Sequence, residues 1–125
     1  MSHEIAFELA ASNIRYGMGV TREVGMDLVD LKLSRALVIT DPKLVALRPV
    51  ITALESLEAN NVATTLYSEA RVEPTEESFR HAIEFAKRHE FDAIVAVGGG
   101  SVIDTAKAVN LYTSYPPDEI GRAHV

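Results

Sequence analysis

Short apolar runs alternate along this chain with longer stretches in which apolar residues recur at helical spacing. The clearest runs, at residues 36–40, 62–67 and 91–97, are typical of buried strands. A strand and turn are predicted over residues 5–16. Apolar positions that repeat every three or four residues predict helices over residues 21–33, 50–59, 76–89 and 101–112. Because strand and helix alternate from residue 36 onward, we predict an α/β fold whose parallel sheet carries helices on both faces.

Residues that favour helix starts refine this pattern. Thr21 is a candidate N-cap for the first helix, and Thr75 is a candidate N-cap for the third. Asp41 followed by Pro42 is a typical helix start, which predicts a short helix over residues 43–47. The connections are therefore expected to be short, and nothing in the pattern divides the chain into two domains.

Composition narrows the function classes. At 125 residues the chain has room for one domain, and its net charge of −6 argues against general binding to nucleic acid or to a membrane surface. No apolar run approaches the length of a membrane span, and no cysteine is present for a disulfide or a thiolate nucleophile. The N-terminus lacks secretory and transit-peptide character. We expect a cytoplasmic protein, or one of the mitochondrial matrix if an upstream transit peptide is missing.

A glycine triplet follows the run that ends at Val97. Gly98, Gly99 and Gly100 leave backbone N–H groups unobstructed, and the following helix directs its positive end to the same place. This arrangement is typical of a phosphate or pyrophosphate site, although a tight turn for close strand–helix packing is the alternative. A Walker loop is excluded because no Gly-Lys-Ser/Thr follows, and Ile103 stands where a dinucleotide fingerprint needs its third glycine.

Two carboxylates near the expected site each have two interpretations. Asp104 lies three residues after Ser101, so the pair could form a capping box, or Asp104 could face the nicotinamide or substrate side of a pocket. Lys107 is close enough to neutralise it or to reach a phosphate. Asp41 follows a buried strand, where it could bind ribose hydroxyls and favour NAD over NADP, or simply serve as a helix cap before Pro42.

The histidines give no sign of a metal site. His81 and His89 lie eight residues apart among charged neighbours, which indicates a solvated helix face. No His-Glu-x-x-His motif exists, and no Ser/His/Asp set suggests a hydrolase.

The glycine loop also resembles that of a known family. VGGGSVIDTAK, residues 97–107, is similar to the cofactor loop of the iron-containing (group III) alcohol dehydrogenases. SNIRYG at 12–17, TREVGMDL at 21–28 and RVEPT at 71–75 resemble the branch of hydroxyacid–oxoacid transhydrogenases within that family. The similarity covers the chain to about residue 116.

The resemblance implies a Rossmann-like, NAD-binding domain over residues 1–118, incomplete because its second half is missing. It implies that the pyrophosphate is held by Gly98, Gly99, Gly100 and Ser101. Asp41 would meet the adenine ribose, and Asp104 would also belong to the cofactor site. Glu73 and Pro74 match a loop beside the adenosine, where many members have Asn in place of Glu73.

The implied reaction transfers hydride through NAD from a small hydroxy acid or alcohol. In the transhydrogenase branch, 4-hydroxybutyrate and 2-oxoglutarate become succinate semialdehyde and 2-hydroxyglutarate. The family's metal, iron or zinc, is held by one Asp and three His of a helical C-terminal domain that this chain lacks. We therefore expect no catalytic residue and no metal ligand here, and no turnover by the chain alone. A homo-oligomer of the full-length enzyme is compatible with the resemblance.

Two other functions stay open. One is a simple iron- or zinc-dependent NAD alcohol dehydrogenase, and the other is a stand-alone nucleotide-binding module.

The end of the chain departs from the family, because IGRAHV at residues 120–125 is the in-frame translation of a common sequencing adapter. We expect residues 119–125 to be a non-native tail.

Overall fold

The computed structural model describes residues 21–113 in full and residues 14–16 and 114 by their backbone. Four strands and four helices alternate in this part of the chain. The elements are β1 (Ile14–Tyr16), α1 (Val24–Asp30), β2 (Arg35–Ile39), α2 (Arg48–Ala59), β3 (Ala63–Tyr67), α3 (Glu76–Lys87), β4 (Ala93–Ala96) and α4 (Gly100–Ser114). The predicted α/β class is confirmed.

The described strands form one parallel sheet in the order β1-β4-β2-β3. Strand β2 lies inside the sheet, with Leu37 opposite Thr65 of β3 on one side and opposite Ile94 of β4 on the other. Parallel neighbours need crossover connections, and helices α2 and α3 supply them. The three apolar runs are thus strands, as predicted.

The sheet has an apolar core on each face, because successive strand residues point to opposite sides. One core combines alternate strand residues with α1 and α2; its members include Ala36, Val38, Val95, Val24, Leu28, Val50, Ala53 and Leu57. The other combines the intervening strand residues with α3 and α4; its members include Leu37, Ile39, Ile94, Ala96, Ala82, Ala86, Val102, Ala106 and Val109. Helices therefore cover both faces, as the alternation predicted.

Strand β1 lies beside β4, with Ile14 opposite Ile94 and Tyr16 opposite Ala96. Strand β4 consequently has a parallel neighbour on each side, β1 and β2. The predicted strand and turn covered residues 5–16, and its first part, residues 5–13, lies outside the described residues.

Thr21 is not the N-cap of the first helix, so that prediction was wrong. Helix α1 begins at Val24, and Glu23 is its N-cap without a side-chain cap bond. The Gly25 N–H instead donates to Ser56 Oγ of α2 at 2.9 Å, and that hydroxyl donates to the Arg22 carbonyl at 3.0 Å. A tertiary contact therefore satisfies a helix-end donor that a local cap usually serves.

The short helix predicted over residues 43–47 was also wrong, because this segment forms turns. The backbone N–H groups of Leu44 and Val45 both donate to the Asp41 carbonyl, at 3.2 and 3.1 Å. Helix α2 then begins at Arg48 with Pro49 in its first turn, where the fixed φ of proline suits a helix start.

Thr75 caps α3, as predicted. Its Oγ1 accepts from the Ser78 N–H at 3.0 Å, and Ser78 Oγ accepts from the Thr75 N–H at 2.8 Å, which completes a capping box. Glu76 and Glu77 lie in the first turn, where the helix dipole favours negative charge.

Residues 1–13, 17–20 and 115–125 lie outside the described residues, so the boundary at residue 118 and the tail over residues 119–125 stay predictions. None of the described helices combines the length and the apolar character needed to cross a bilayer.

Candidate cofactor-binding site

The carboxyl ends of β2, β3 and β4 share one edge of the sheet, because the three strands are parallel. The segment after β2 contains Asp41, the segment after β3 contains Glu73 and Pro74, and the segment after β4 contains the glycine triplet. Open parallel sheets bind ligands in a crevice at this edge. The fold thus brings segments that are distant in sequence to the ligand-binding edge.

Hydrogen bonds through Thr40 join the three strand ends. Its N–H donates to the Tyr67 carbonyl at 2.9 Å, and its carbonyl accepts from the Ala70 N–H at 3.2 Å. Its Oγ1 donates to the Val97 carbonyl at 2.8 Å, and the residue is fully buried. Thr40 was not among the predicted site residues. In the sequence, the only indication of a role for it is a hydroxyl at the end of an otherwise aliphatic run, directly before Asp41.

Gly98 is required by the fold. Its φ is +155°, a conformation that residues with a side chain rarely adopt. A Cβ on Gly98 would also lie 2.7 Å from Val102 Cγ2 and 3.2 Å from Leu44 Cδ1. The alternative considered for the whole triplet, close packing of strand and helix, therefore accounts for its first glycine.

Gly99 and Gly100 have no such packing requirement. Both are exposed, and among the described residues a Cβ on either glycine would meet nothing within 4 Å beyond its chain neighbours and the backbone of its own helix. The Gly99 carbonyl accepts from the N–H groups of Val102 and Ile103, each at 3.1 Å, which starts helix α4. The space beside these two glycines is open to a ligand that needs close approach to the backbone.

The start of α4 offers hydrogen-bond donors on this open side. The first N–H groups of a helix have no acceptor within the helix. In the described part of the chain, neither Gly100 nor Ser101 donates its N–H to a backbone carbonyl. Together with the positive end of the helix dipole, such groups form an anion-binding arrangement.

Ser101 and Asp104 do not form the capping box that one interpretation predicted. Helix α4 already begins at Gly100, so Ser101 lies inside the first turn rather than at the N-cap. Its carbonyl accepts from Thr105 Oγ1 at 2.9 Å, whereas Asp104 and Lys107 are exposed. The helix begins at Gly100, one residue before the predicted range of 101–112.

Asp41 is buried and caps the turn that follows it. Its Oδ1 accepts from the N–H groups of Lys43 and Leu44, at 2.9 and 2.8 Å. Asp41 thus caps a turn and not the predicted helix, and the two bonds fix the orientation of the carboxylate at the edge of the sheet. Capping through one oxygen is compatible with a second role for the other.

Glu73 and Pro74 lie in the loop that precedes α3. Glu73 is exposed, and its side chain makes no hydrogen bond or ion pair with the other described residues, while Pro74 is half-buried. The Thr75 capping box directly follows and fixes the end of this loop.

A polar pair lies beside this loop. The Tyr67 hydroxyl and His81 Nδ1 are 2.7 Å apart, at an open groove of about 620 Å³ that Pro42 and Thr75 also line. Burial raises the pKa of Tyr67 to about 12, with a smaller contribution from the Glu69 carboxylate. His81 is exposed, as expected of a solvated helix face, but its ring is held by a buried phenol.

Metal-ligating side chains do not converge in the described part of the chain. No group of three or more His, Cys, Asp or Glu residues there is placed to hold a metal ion. No metal-dependent step is therefore assigned to these residues.

Comparison with known protein families identifies the family. Residues 11–124 match the family described as iron-containing alcohol dehydrogenase. The chain belongs to this family. The resemblance to this family, carried by the glycine loop, is thereby confirmed.

Curated relatives of this chain are named mitochondrial hydroxyacid-oxoacid transhydrogenases. The protein of Xenopus tropicalis is 60% identical over 113 residues, which are 90% of this chain and 24% of that protein. The human protein is 54% identical over 113 residues, again 90% of this chain and 24% of the relative. The chain thus spans about a quarter of the length of the curated relatives it matches.

Solved structures agree with the family assignment. The NADH-dependent butanol dehydrogenase A of Thermotoga maritima matches with a TM-score of 0.71 and 26% identity, over 84% of this chain and 27% of that one. Maleylacetate reductase of Agrobacterium tumefaciens matches with a TM-score of 0.64 and 29% identity, over 80% of this chain and 27% of that one. The described fold of this chain matches the N-terminal domain of these enzymes.

Proposed function

We propose that residues 1–118 form the NAD-binding domain of a metal-dependent oxidoreductase of the hydroxyacid–oxoacid transhydrogenase type. Relatives with that name share 53% to 60% identity with the chain, which supports this branch over others of the family. The small share of their length that the chain spans supports a larger enzyme in which this domain supplies one wall of the active site.

The observation that carries the proposal is the open space beside Gly99 and Gly100. The fold itself does not exclude a side chain at either position, whereas it does at Gly98. A pyrophosphate in this space would accept hydrogen bonds from the N–H groups at the start of α4, and the helix dipole would favour its charge. The N–H group of Ser101 would be one of these donors to the pyrophosphate.

Asp41 is proposed to select the dinucleotide. Its carboxylate is held at the neighbouring strand end by the N–H groups of Lys43 and Leu44. From there it would accept hydrogen bonds from the hydroxyls of the adenine ribose and would repel a 2′-phosphate. NAD is therefore favoured over NADP.

The other predicted cofactor residues complete the site. Glu73, whose carboxylate is exposed, and Pro74 would lie beside the adenosine. Asp104, exposed on α4, would lie toward the nicotinamide or substrate side.

The reaction is balanced by one hydride and one proton. When bound, NAD would accept the hydride from 4-hydroxybutyrate and return it to 2-oxoglutarate, while the proton released by the first substrate is taken up by the second, which gives succinate semialdehyde and 2-hydroxyglutarate. The described residues hold and orient the dinucleotide. We propose that the iron or zinc is held outside them, by a helical domain, and that the 125-residue chain alone has no turnover.

The experiment uses the full-length enzyme without added dinucleotide. We expect 4-hydroxybutyrate and 2-oxoglutarate to give succinate semialdehyde and 2-hydroxyglutarate in equal amounts, with no NADH released. A simple iron- or zinc-dependent alcohol dehydrogenase, which the likeness to butanol dehydrogenase supports, would instead need added NAD and release NADH. Failure of both substrates in the presence of metal and NAD would overturn the proposal.

A stand-alone nucleotide-binding module is the candidate of another class. It predicts that the 125-residue chain, expressed alone, is a folded monomer that binds NAD tightly in a calorimetric titration. The proposed enzyme domain predicts weak binding at most, because the other wall of the cleft is missing.

The compartment is a separate proposal. The names of the curated relatives place those proteins in mitochondria, which supports the matrix over the cytoplasm for this enzyme. Expression of the full-length protein with a C-terminal fluorescent tag distinguishes the two.

A further inference from the structure

We propose that Thr40 is a positioning residue for the cofactor: its hydroxyl sets the glycine loop at a fixed place relative to Asp41. This inference rests on the function proposed above. Thr40 is the residue before Asp41, and Val97 is the residue before Gly98. The hydrogen bond of 2.8 Å from Thr40 Oγ1 to the Val97 carbonyl therefore joins the two segments that would hold the ribose and the pyrophosphate.

The hydroxyl is not needed to fill space. Thr40 directly follows Leu37, Val38 and Ile39 of β2, and a valine would occupy nearly the same volume. A buried hydroxyl is unfavourable unless it is hydrogen-bonded. Thr40 is fully buried, so we infer that its hydroxyl is present for the hydrogen bond to the Val97 carbonyl and not for packing. In the described part of the chain, no other donor to the Val97 carbonyl is found.

The glycine loop has few other anchors. Gly99 and Gly100 have no side chains, and apart from their chain neighbours and their own helix no described residue lies within 4 Å of their Cβ positions. The direction in which their N–H groups point is therefore determined by the two ends of the loop, which are Val97 and the first turn of α4. Thr40 fixes one of these ends from the side of Asp41.

The same residue also reaches the third loop. Its backbone accepts from Ala70, directly before the segment with Glu73 and Pro74, and donates to Tyr67 at the end of β3. Loss of the side-chain bond would leave these backbone bonds intact. The expected defect is thus in the relative placement of Asp41 and the glycines rather than in the sheet.

The test compares Thr40→Val with Thr40→Ser in the full-length enzyme. We expect Thr40→Val to raise the Kd for NAD about tenfold, a difference of 1.4 kcal/mol, with a parallel rise in the KM of any NAD-linked assay and a small change in kcat. Thr40→Ser, which keeps the hydroxyl, should remain within about twofold of the wild type. Calorimetric titration with NAD gives both values.

Thr113→Val is the matched control, because Thr113 Oγ1 also donates to a backbone carbonyl, that of Val109 at 2.7 Å, but at the far end of α4. We expect it to leave the Kd unchanged. Both enzymes are first freed of any NAD that copurifies with them. If wild-type and Thr40→Val enzymes then bind NAD equally, the positioning role is overturned, whereas a wild type that binds no NAD overturns the proposed function itself. Should Thr40→Val fail to fold, Thr40→Ala against Thr40→Ser gives the same comparison, since the two differ only in the hydroxyl.

Discussion

Gly25 lies directly against the backbone carbonyl of Ser56, where helix α1 crosses helix α2. A Cβ on Gly25 would clash with this carbonyl and would lie 2.6 Å from Asn60 Nδ2. The Gly25 N–H also donates to Ser56 Oγ, so the two helices are held together by the contact that leaves no room for a side chain.

Gly25→Ala is expected to destabilise the protein by about 3 kcal/mol or more, because rigid backbone cannot move away from the added methyl group. Thermal unfolding measures the change. Gly99→Ala is the matched control: its added methyl group meets nothing within 4 Å, and we expect its stability to stay within about 0.5 kcal/mol of the wild type. Equal melting temperatures for Gly25→Ala and the wild type would contradict the close crossing.

The glycines of the triplet should separate by phenotype. Gly100→Val is expected to weaken NAD binding by at least about tenfold, since its side chain enters the space proposed for the pyrophosphate, and to keep its stability. Gly98→Ala should instead lose stability through its φ of +155° and the contact with Val102. Titration with NAD and thermal unfolding are made on both variants. If the loop served only the fold, Gly100→Val would bind NAD as tightly as the wild type.

The two roles of Asp41 can be separated by charge. Asp41→Asn keeps an oxygen for the N–H groups of Lys43 and Leu44 but loses the negative charge. We expect the ratio of NADP to NAD affinity to rise about tenfold with little loss of stability. Asp41→Ala should lose about 1 kcal/mol as well, through the missing cap. An unchanged ratio in Asp41→Asn would remove Asp41 from the cofactor site.

Asp92 is expected to stabilise the opposite edge of the sheet. Its carboxylate accepts from the N–H groups of Ser34, at 3.0 Å, and Arg35, at 2.9 Å, which ties the start of β2 to the segment before β4. Asp92→Ala should cost about 1–2 kcal/mol, because two backbone donors lose a charged acceptor. Glu90→Ala removes only an exposed ion pair with Arg35 and should cost less than about 0.5 kcal/mol. Chemical denaturation of both variants compares the two.

Alkaline pH should test the burial of Tyr67. Its pKa is raised from 10.0 to about 12 in the folded protein. Between these values the unfolded chain releases the phenol proton while the folded chain retains it, so this group's contribution to stability is fully present below pH 10 and is lost as the pH rises to about 12. Tyr67→Phe should show a shallower fall over this range by denaturant unfolding. Identical slopes would indicate that the phenol titrates normally.

The sequence was sufficient where local chemistry determines the structure. The β-branched and aliphatic runs were predicted correctly as β2, β3 and β4, because a short apolar run by itself indicates a buried strand. Thr75 was predicted correctly as the N-cap of α3, because its capping partner Ser78 is only three residues away. The glycine triplet was likewise recognisable as a turn between strand and helix.

Features that depend on a distant partner could not be predicted in this way. The start of α1 follows from Ser56, which lies 31 residues beyond Gly25. The role of Thr40 follows from the register that brings the ends of β2 and β4 together, with Ile39 opposite Ala96. No pattern in a single sequence distinguishes Gly98, which the fold requires, from Gly99 and Gly100, because the difference lies in the position of Val102 and Leu44.

The strand order also determines when this domain can finish folding. Ile14 of β1 pairs with Ile94 of β4, so the first strand must find a partner that is eighty residues later in the chain. During synthesis, β2 and β3 can pair and pack against their helices before β4, the neighbour of β1 among the described strands, has been made. Closing a loop over such a separation is slow. Strand β1 is therefore synthesised well before the strand with which it pairs, and the sheet can be completed only after β4 has formed.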